Sequence, residues 1–346
     1  MSRRNVRIGG KGRTKSVPKF VSVLRLVNPR AEFSTPRLHT GVVDSRESVR
    51  EEVMSHDVPY SASQQDLYYP AKSLDAFPTQ RPKTDAALCA WMAWLAYCDQ
   101  GSNFAFDQDK IRNKLGALGF QTVEFFESLG DPKQGGTHCF LAVHDDAVRE
   151  NKLAVVAFRG TDKDDPRDVL DDVEAELVSW KGTAKVFAGW KNALGEVDKR
   201  LVPAIQPIDC RLLITGHSLG AAMATLLASV KTPSALYTIC SPRVGNQDFA
   251  ASLGSVKNYR YVDCCDVVTG LPPAFLGYAH AGDPLYIDRK RNVISKPSED
   301  YVSADRLRAR VAYSLRYAWK WGNVISRGLA DHAPINYATA IAAAQQ

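Results

Sequence analysis

The chain has 346 residues, 45% hydrophobic and 24% charged, enough apolar material for one large core or two smaller ones. No apolar run approaches the ~20 residues that cross a bilayer, so we expect a soluble protein. The formal net charge of +6 is unevenly placed: residues 1–30 hold nine Lys or Arg and no acid, and the remaining 35 basic and 38 acidic residues leave the rest at −3.

The first 60 residues are polar and aperiodic, and we expect a basic, disordered extension over 1–60 followed by one folded domain over 61–346. An arm for anionic lipid or nucleic acid is the functional alternative for that tail. Met1-Ser2-Arg3-Arg4 has the charge of a secretion signal, but the apolar run Phe20–Leu24 is short and stops at Arg25. A cytoplasmic location is therefore expected. Seven cysteines, an odd number without zinc-ligand spacing to histidines, read as buried free thiols of a reducing compartment.

From Thr84-Asp85 the pattern becomes regular. Ala86–Tyr97 reads as a helix with Leu88, Met92 and Leu95 on one face, and Asp107–Leu118 as a second helix ending at Gly119. Strands are expected at Phe140–Val143, Leu153–Phe158, Arg211–Thr215, Leu236–Cys240 and Tyr259–Val262. Helices are expected at Trp190–Val202 and Ala221–Val230. This alternation predicts an α/β fold with a mainly parallel central sheet flanked by helices.

Gly216-His217-Ser218-Leu219-Gly220 lies directly between an expected strand and a small-residue helix. A serine hydroxyl is a poor nucleophile unless it sits on a sharp bend, beside a base and near backbone N–H donors. The strand-to-helix turn supplies the bend, and the glycines remove side chains that would clash there. The helix start adds partial positive charge where an oxyanion would form. Ser218 is the expected nucleophile.

Beyond this motif the chain resembles the class 3 lipases, a branch of the α/β-hydrolases. The matching segments, in the family's order, are Ala157-Phe158-Arg159-Gly160-Thr161-Asp162, the serine motif, Ser241-Pro242-Arg243-Val244-Gly245-Asn246, Asp266-Val267-Val268-Thr269-Gly270-Leu271-Pro272-Pro273, Gly277-Tyr278-Ala279-His280-Ala281-Gly282 and Asp331-His332. The resemblance covers the chain from about Thr84 onward and implies an α/β-hydrolase fold. It also implies Asp266 as the catalytic acid, with Asp263 as competitor, and His332 as the base, with His280 as rival. The order Ser218, Asp266, His332 is that of this fold. The oxyanion would be held by the N–H of Leu219 and by Thr161. The family's Val-His-x-Gly-Phe reads Val186-Phe187-Ala188-Gly189-Trp190 here, without its histidine.

The activity so implied is carboxylic ester hydrolysis through an acyl-enzyme, on an acyl ester or lipid substrate. The cover expected at Lys163–Arg167 is short and charged, which favours short or medium acyl chains, with Val169, Leu170, Val173 and Leu177 packing on the body at helical spacing. A phospholipase or acyltransferase would use the same residues, and an inactive lipid- or partner-binding protein is the reading of another class. Ser303–Leu329 is expected to be a basic helix whose stripe Leu307, Val311, Leu315, Ala318, Ile325 and Leu329 packs on the core. Peripheral membrane contact is its alternative. No cofactor, metal site or nucleic-acid partner is implied.

Overall fold

The computed structural model describes residues 58–100, 105–128, 136–145, 152–160 and 176–344. The expected extension up to residue 57, the charged cover at 163–167 and the apolar positions 169, 170 and 173 lie outside them. Tyr60 is part of the folded body: its ring lies edge-on to Tyr313 and its hydroxyl donates to Asp331 Oδ1 at 2.9 Å.

Ten strands are described: β1 (Thr122–Glu127), β2 (His138–His144), β3 (Leu153–Phe158), β4 (Leu177–Ser179), β5 (Lys185–Phe187), β6 (Arg211–His217), β7 (Ala235–Ile239), β8 (Asn258–Asp263), β9 (Pro284–Ile287) and β10 (Val293–Ser295). Eight form one sheet in the order β1-β2-β3-β6-β7-β8-β9-β10, and β4 pairs with β5. The pairs from β3 through β6, β7 and β8 to β9 are parallel; β1 and β2 on one side and β10 on the other run antiparallel.

A strand covered on both faces must be apolar at every position, and Leu153-Ala154-Val155-Val156-Ala157-Phe158 is buried throughout. Its alternate residues feed two cores. Val155 and Ala157 pack with the helix Asp85–Leu95 and the final helix Pro334–Ala343, while Ala154, Val156 and Phe158 pack with helices Ala188–Gly195, Asp198–Ile205 and Leu219–Val230. Asp85–Leu95 is capped by the Thr84 hydroxyl, which accepts from Ala87 N, and every residue from Ala86 to Leu95 is buried.

The expected strands are all present, several of them one to three residues longer. β1, β9 and β10 are additions at the sheet's margins. β1 carries Glu124 and Glu127 on a half-exposed strand, and β9 and β10 are four and three residues long, too short for a periodic signal. The helix expected at 190–202 is two helices broken at Glu196-Val197. Leu177 opens β4 instead of continuing a helical stripe.

The basic helix needs a larger correction. It runs from Glu299 to Arg316, not to Leu329, and after it Gly322 takes a left-handed φ of 80°. Only the end of its stripe packs inward, Leu329 being buried and Ala318 half-buried against the same apolar cluster. The buried face holds Asp305, Ala309 and Tyr313, whereas Leu307, Val311 and Leu315 are exposed. Polar anchors decide the rotation: Asp305 Oδ2 accepts from Tyr286 Oη at 2.9 Å and Arg289 N at 3.0 Å, and Tyr313 Oη donates to the Val324 carbonyl at 2.6 Å.

The register of β3 against β6 places Phe158 opposite Gly216, so the end of β3 abuts the serine turn. A Cβ on Gly220 would lie 2.5 Å from the Phe158 carbonyl oxygen and 2.6 Å from that of Arg159. Helix propensity alone would favour alanine there by about 1 kcal/mol. We predict that the clash prevails: Gly220→Ala should destabilise the protein to urea by about 1–3 kcal/mol, and unchanged or increased stability would refute this close approach.

Candidate active site

Ser218 stands between the end of β6 and the helix Leu219–Val230 with φ 57° and ψ −126°. L-residues rarely occupy this region, at a cost of roughly 1–3 kcal/mol, and strain of this kind concentrates at functional sites. Its N–H donates to the Ile239 carbonyl at the end of β7, at 3.0 Å. The two motif glycines are required by space, since a Cβ on Gly216 would strike the backbone of Gly220. The serine is only 8% exposed, less than expected, and Gly160 lies close to it: a Cβ at Gly160 would lie 3.1 Å from Ser218 Cβ.

Asp266 and His332 come together. His332 Nδ1 lies 3.2 Å from each carboxylate oxygen of Asp266, and both residues are buried. Tyr337 Oη donates to Asp266 Oδ2 at 2.7 Å, and Val268 N donates to Oδ1 at 3.0 Å. Burial pushes the Asp266 carboxyl up, but His332 and the hydrogen bonds from His332, Cys240 and Tyr337 outweigh it and hold the group below the usual carboxylate range. With Nδ1 directed at Asp266, Nε2 is the imidazole nitrogen left for proton exchange.

The serine turn and His332 are joined through His217. Its Nε2 lies 2.9 Å from the backbone carbonyl oxygen of His332, its Nδ1 lies 2.7 Å from Tyr97 Oη, and the two imidazole rings are 4.8 Å apart. A carbonyl can only accept, so Nε2 carries the proton and Nδ1 accepts from the tyrosine. Burial, followed by the charge of His332, drives the His217 pKa well below its ordinary value and keeps the ring neutral.

The competing residues are occupied elsewhere. Asp263 pairs with Arg291 Nη1 at 2.6 Å and accepts from Cys264 N, away from either histidine. His280 Nε2 donates to the Thr269 carbonyl at 2.9 Å, and Thr269 Oγ1 donates to the Asp266 carbonyl at 3.0 Å, so His280 braces the acid loop. Leu219 opens its helix, where the first N–H groups have no partner within the helix. Thr161 lies outside the described residues, one position beyond Gly160.

Several contributors had no separate signal in the sequence. Arg243 clamps the acid loop, with Nη1 donating to the Pro272 carbonyl at 2.8 Å and its N–H to the Leu271 carbonyl at 2.7 Å. Cys240, at φ 58°, places its thiol 2.9 Å from His332 Nδ1, and burial raises its pKa well above the ordinary value, so it stays protonated. Asp331 Oδ2 accepts from Cys265 N at 2.9 Å and its carboxylate pairs with Arg327, linking the His332 segment to the Asp266 segment. Phe187, where the family has histidine, packs edge-on to Trp190. Among the described residues, His217, Cys240 and His332, and separately Cys264, Cys265 and Asp331, lie close enough to hold a metal ion. The hydrogen bonds just described already engage the histidines and Asp331.

Burial, then the charges of Arg260 and Arg243, push His280 down to about 3 from 6.5. Between those values the unfolded chain binds a proton that the folded chain refuses, so stability falls as pH drops through that window, by up to about 1.4 kcal/mol per pH unit for this residue. His280→Gln retains a donor for Thr269 and should flatten the pH dependence of urea stability between pH 6.5 and 4. An unchanged slope would show that His280 is not held neutral.

The sequence signature of the family described as "Lipase (class 3)" matches residues 155–276, a region that contains Ser218 and Asp266 but ends before His332. A secreted mono- and diacylglycerol lipase A of Penicillium cyclopium is 33% identical over 138 residues, 38% of this chain and 43% of that protein. A lipase of Rhizomucor miehei is 32% identical over 174 residues, 44% of this chain and 47% of that one. The chloroplastic phospholipase A1-Igamma2 of Arabidopsis thaliana is 26% identical over 331 residues, covering 68% of this chain and 62% of its own. The chain thus spans less than half the length of the two fungal relatives. The expectation of a cytoplasmic protein, and with it of a reducing compartment, does not stand, because the Penicillium relative is a secreted lipase. A buried free thiol reports on packing, which is the same in any compartment, and all seven cysteines are free. The mainly parallel sheet and the strained serine between β6 and its helix are those of an α/β-hydrolase fold, and residues 155–276, which contain that serine, are similar to the class 3 lipase family.

Proposed function

We propose that the protein is a serine hydrolase of carboxylic esters in which Ser218 is the nucleophile, His332 the general base and Asp266 the acid that orients it. One observation carries this reading. His332 points Nδ1 at a buried, ionised carboxylate, and its own backbone carbonyl accepts a hydrogen bond from the residue preceding the strained serine.

In this mechanism His332 Nε2 takes the proton of Ser218 as Oγ attacks the ester carbonyl. Asp266 fixes the tautomer with Nδ1–H and stabilises the imidazolium. The tetrahedral oxyanion is held by the N–H of Leu219 at the helix start and by Thr161, which follows the glycine packed against Ser218. His332 returns the proton to the leaving alkoxide, and water, activated by the same base, releases the acid.

The sequence of the cover, Lys163-Asp164-Asp165-Pro166-Arg167, supports a preference for short or medium acyl chains, because it offers little apolar area to an oil surface. A phospholipase A1 activity is the second reading, favoured by the plant phospholipase A1 that aligns over 68% of the chain.

An organophosphonate probe should label Ser218, with labelling lost in Ser218→Ala and turnover of a soluble ester reduced roughly a millionfold. Labelling at another serine, or hydrolysis that survives in Ser218→Ala, would sink the assignment. Chain preference is tested with a triglyceride series. Turnover should decline from butanoyl to long-chain esters without a jump at the solubility limit, and such a jump would overturn the preference.

A further inference from the structure

The helix Glu299–Arg316 and the turn after it present a surface that neither the core nor the candidate site uses. Leu307, Val311 and Leu315 recur every four residues along one exposed face, and Trp319, Trp321 and Ile325 extend the apolar strip; each is more than half exposed, Trp321 completely. Monomeric proteins rarely leave so contiguous an apolar strip in water without a partner. Its charges have one sign. Arg308 and Arg310 flank the leucines at helical spacing, Arg316 and Lys320 follow, and residues 306–330 contain no Asp or Glu. Lys320 Nζ lies 5.8 Å from the Trp319 ring centroid, so cation and indole share one surface. The helix cannot turn the strip inward, because Asp305 and Tyr313 tie its opposite face to Tyr286, Arg289 and Val324.

We propose that this strip is a docking surface for an anionic lipid bilayer, on which the helix lies in the interface plane with its leucines and tryptophans among the acyl chains and its arginines at the headgroups. The chemistry selects this occupant. An apolar stripe edged by cations and ended by tryptophans matches the graded polarity of a charged bilayer surface. A second copy of the chain would bring two sets of like charges together. A nucleic acid would meet aliphatic side chains at the centre of the patch, where stacking aromatics are needed. No helix among the described residues is long and apolar enough to cross a membrane, and this one lies on it instead. The proposal goes beyond ester hydrolysis and stands without it.

The test uses the full chain with phosphatidylcholine vesicles made with and without phosphatidylglycerol, followed by co-sedimentation and tryptophan emission. The expected result is binding to the anionic vesicles with a blue shift, weakened by salt. The double variant Trp319→Ala/Trp321→Ala should weaken binding by about tenfold or more, and Arg308→Gln and Arg310→Gln by about fivefold each. All four residues are exposed and outside the candidate site, so near-ultraviolet circular dichroism and turnover of a soluble ester report whether the variants stay folded. Absent binding, or binding that the double variant retains in full, overturns the proposal. So does a dimer that buries Trp321, or tight binding of an oligonucleotide with none to vesicles. Ser218→Ala should bind vesicles as the parent chain does, so the docking surface and the hydrolase reading can fail separately.

Discussion

Asp266 carries its charge in a place with almost no water, and the rest of the site is arranged around that fact. A buried carboxylate either takes up a proton or is compensated by donors and a cation. Here the compensation comes from three parts of the chain: Val268 within its own loop, the Cys240 thiol, and the C-terminal segment that supplies the His332 imidazole and the Tyr337 hydroxyl. The same arrangement that keeps Asp266 ionised determines which nitrogen of His332 faces it. Electrostatic necessity and the proposed catalytic geometry are therefore one constraint.

Around this centre lies a ring of buried pairs that hold the loops in register. Asp263 with Arg291 and Asp331 with Arg327 flank the acid and base segments, and Asp331 reaches across to Cys265 N. Buried ion pairs are not strong sources of stability, since desolvation offsets much of their attraction. Their value here is positional. Asp263–Arg291 and Asp331–Cys265 join residues 28 and 66 positions apart, and losing one partner of an ion pair would leave a charge stranded beside the site. Tyr97 and His217 do the same from the other side, where a neutral imidazole relays the position of the helix Asp85–Leu95 to the His332 backbone.

The outward-facing strip on Glu299–Arg316 follows from the same economy. Polar anchors on the inner face outweigh the attraction of the leucines for the core, so the apolar residues are left facing solvent. Periodicity finds an apolar face correctly but does not say what covers it.

The amino-acid sequence alone determined the elements whose signal is local. A strand buried on both faces reads as unbroken apolar residues, as in Leu153–Phe158, and a serine turn reads as two glycines around a serine between a strand and a helix. The acid and base were legible only through their resemblance to a family, because nothing local separates Asp266 from Asp263 or His332 from His280. In the structure Asp263 pairs with Arg291 and His280 with Thr269, whereas Asp266 and His332 face each other. Tertiary structure alone supplied Tyr337, Cys240, Tyr97 and Arg243 as supports, the marginal strands β1, β9 and β10, and the rotation of the basic helix. These depend on which distant groups meet in space, and a hydrogen bond between residues 71 or 120 positions apart leaves no periodic trace in the chain.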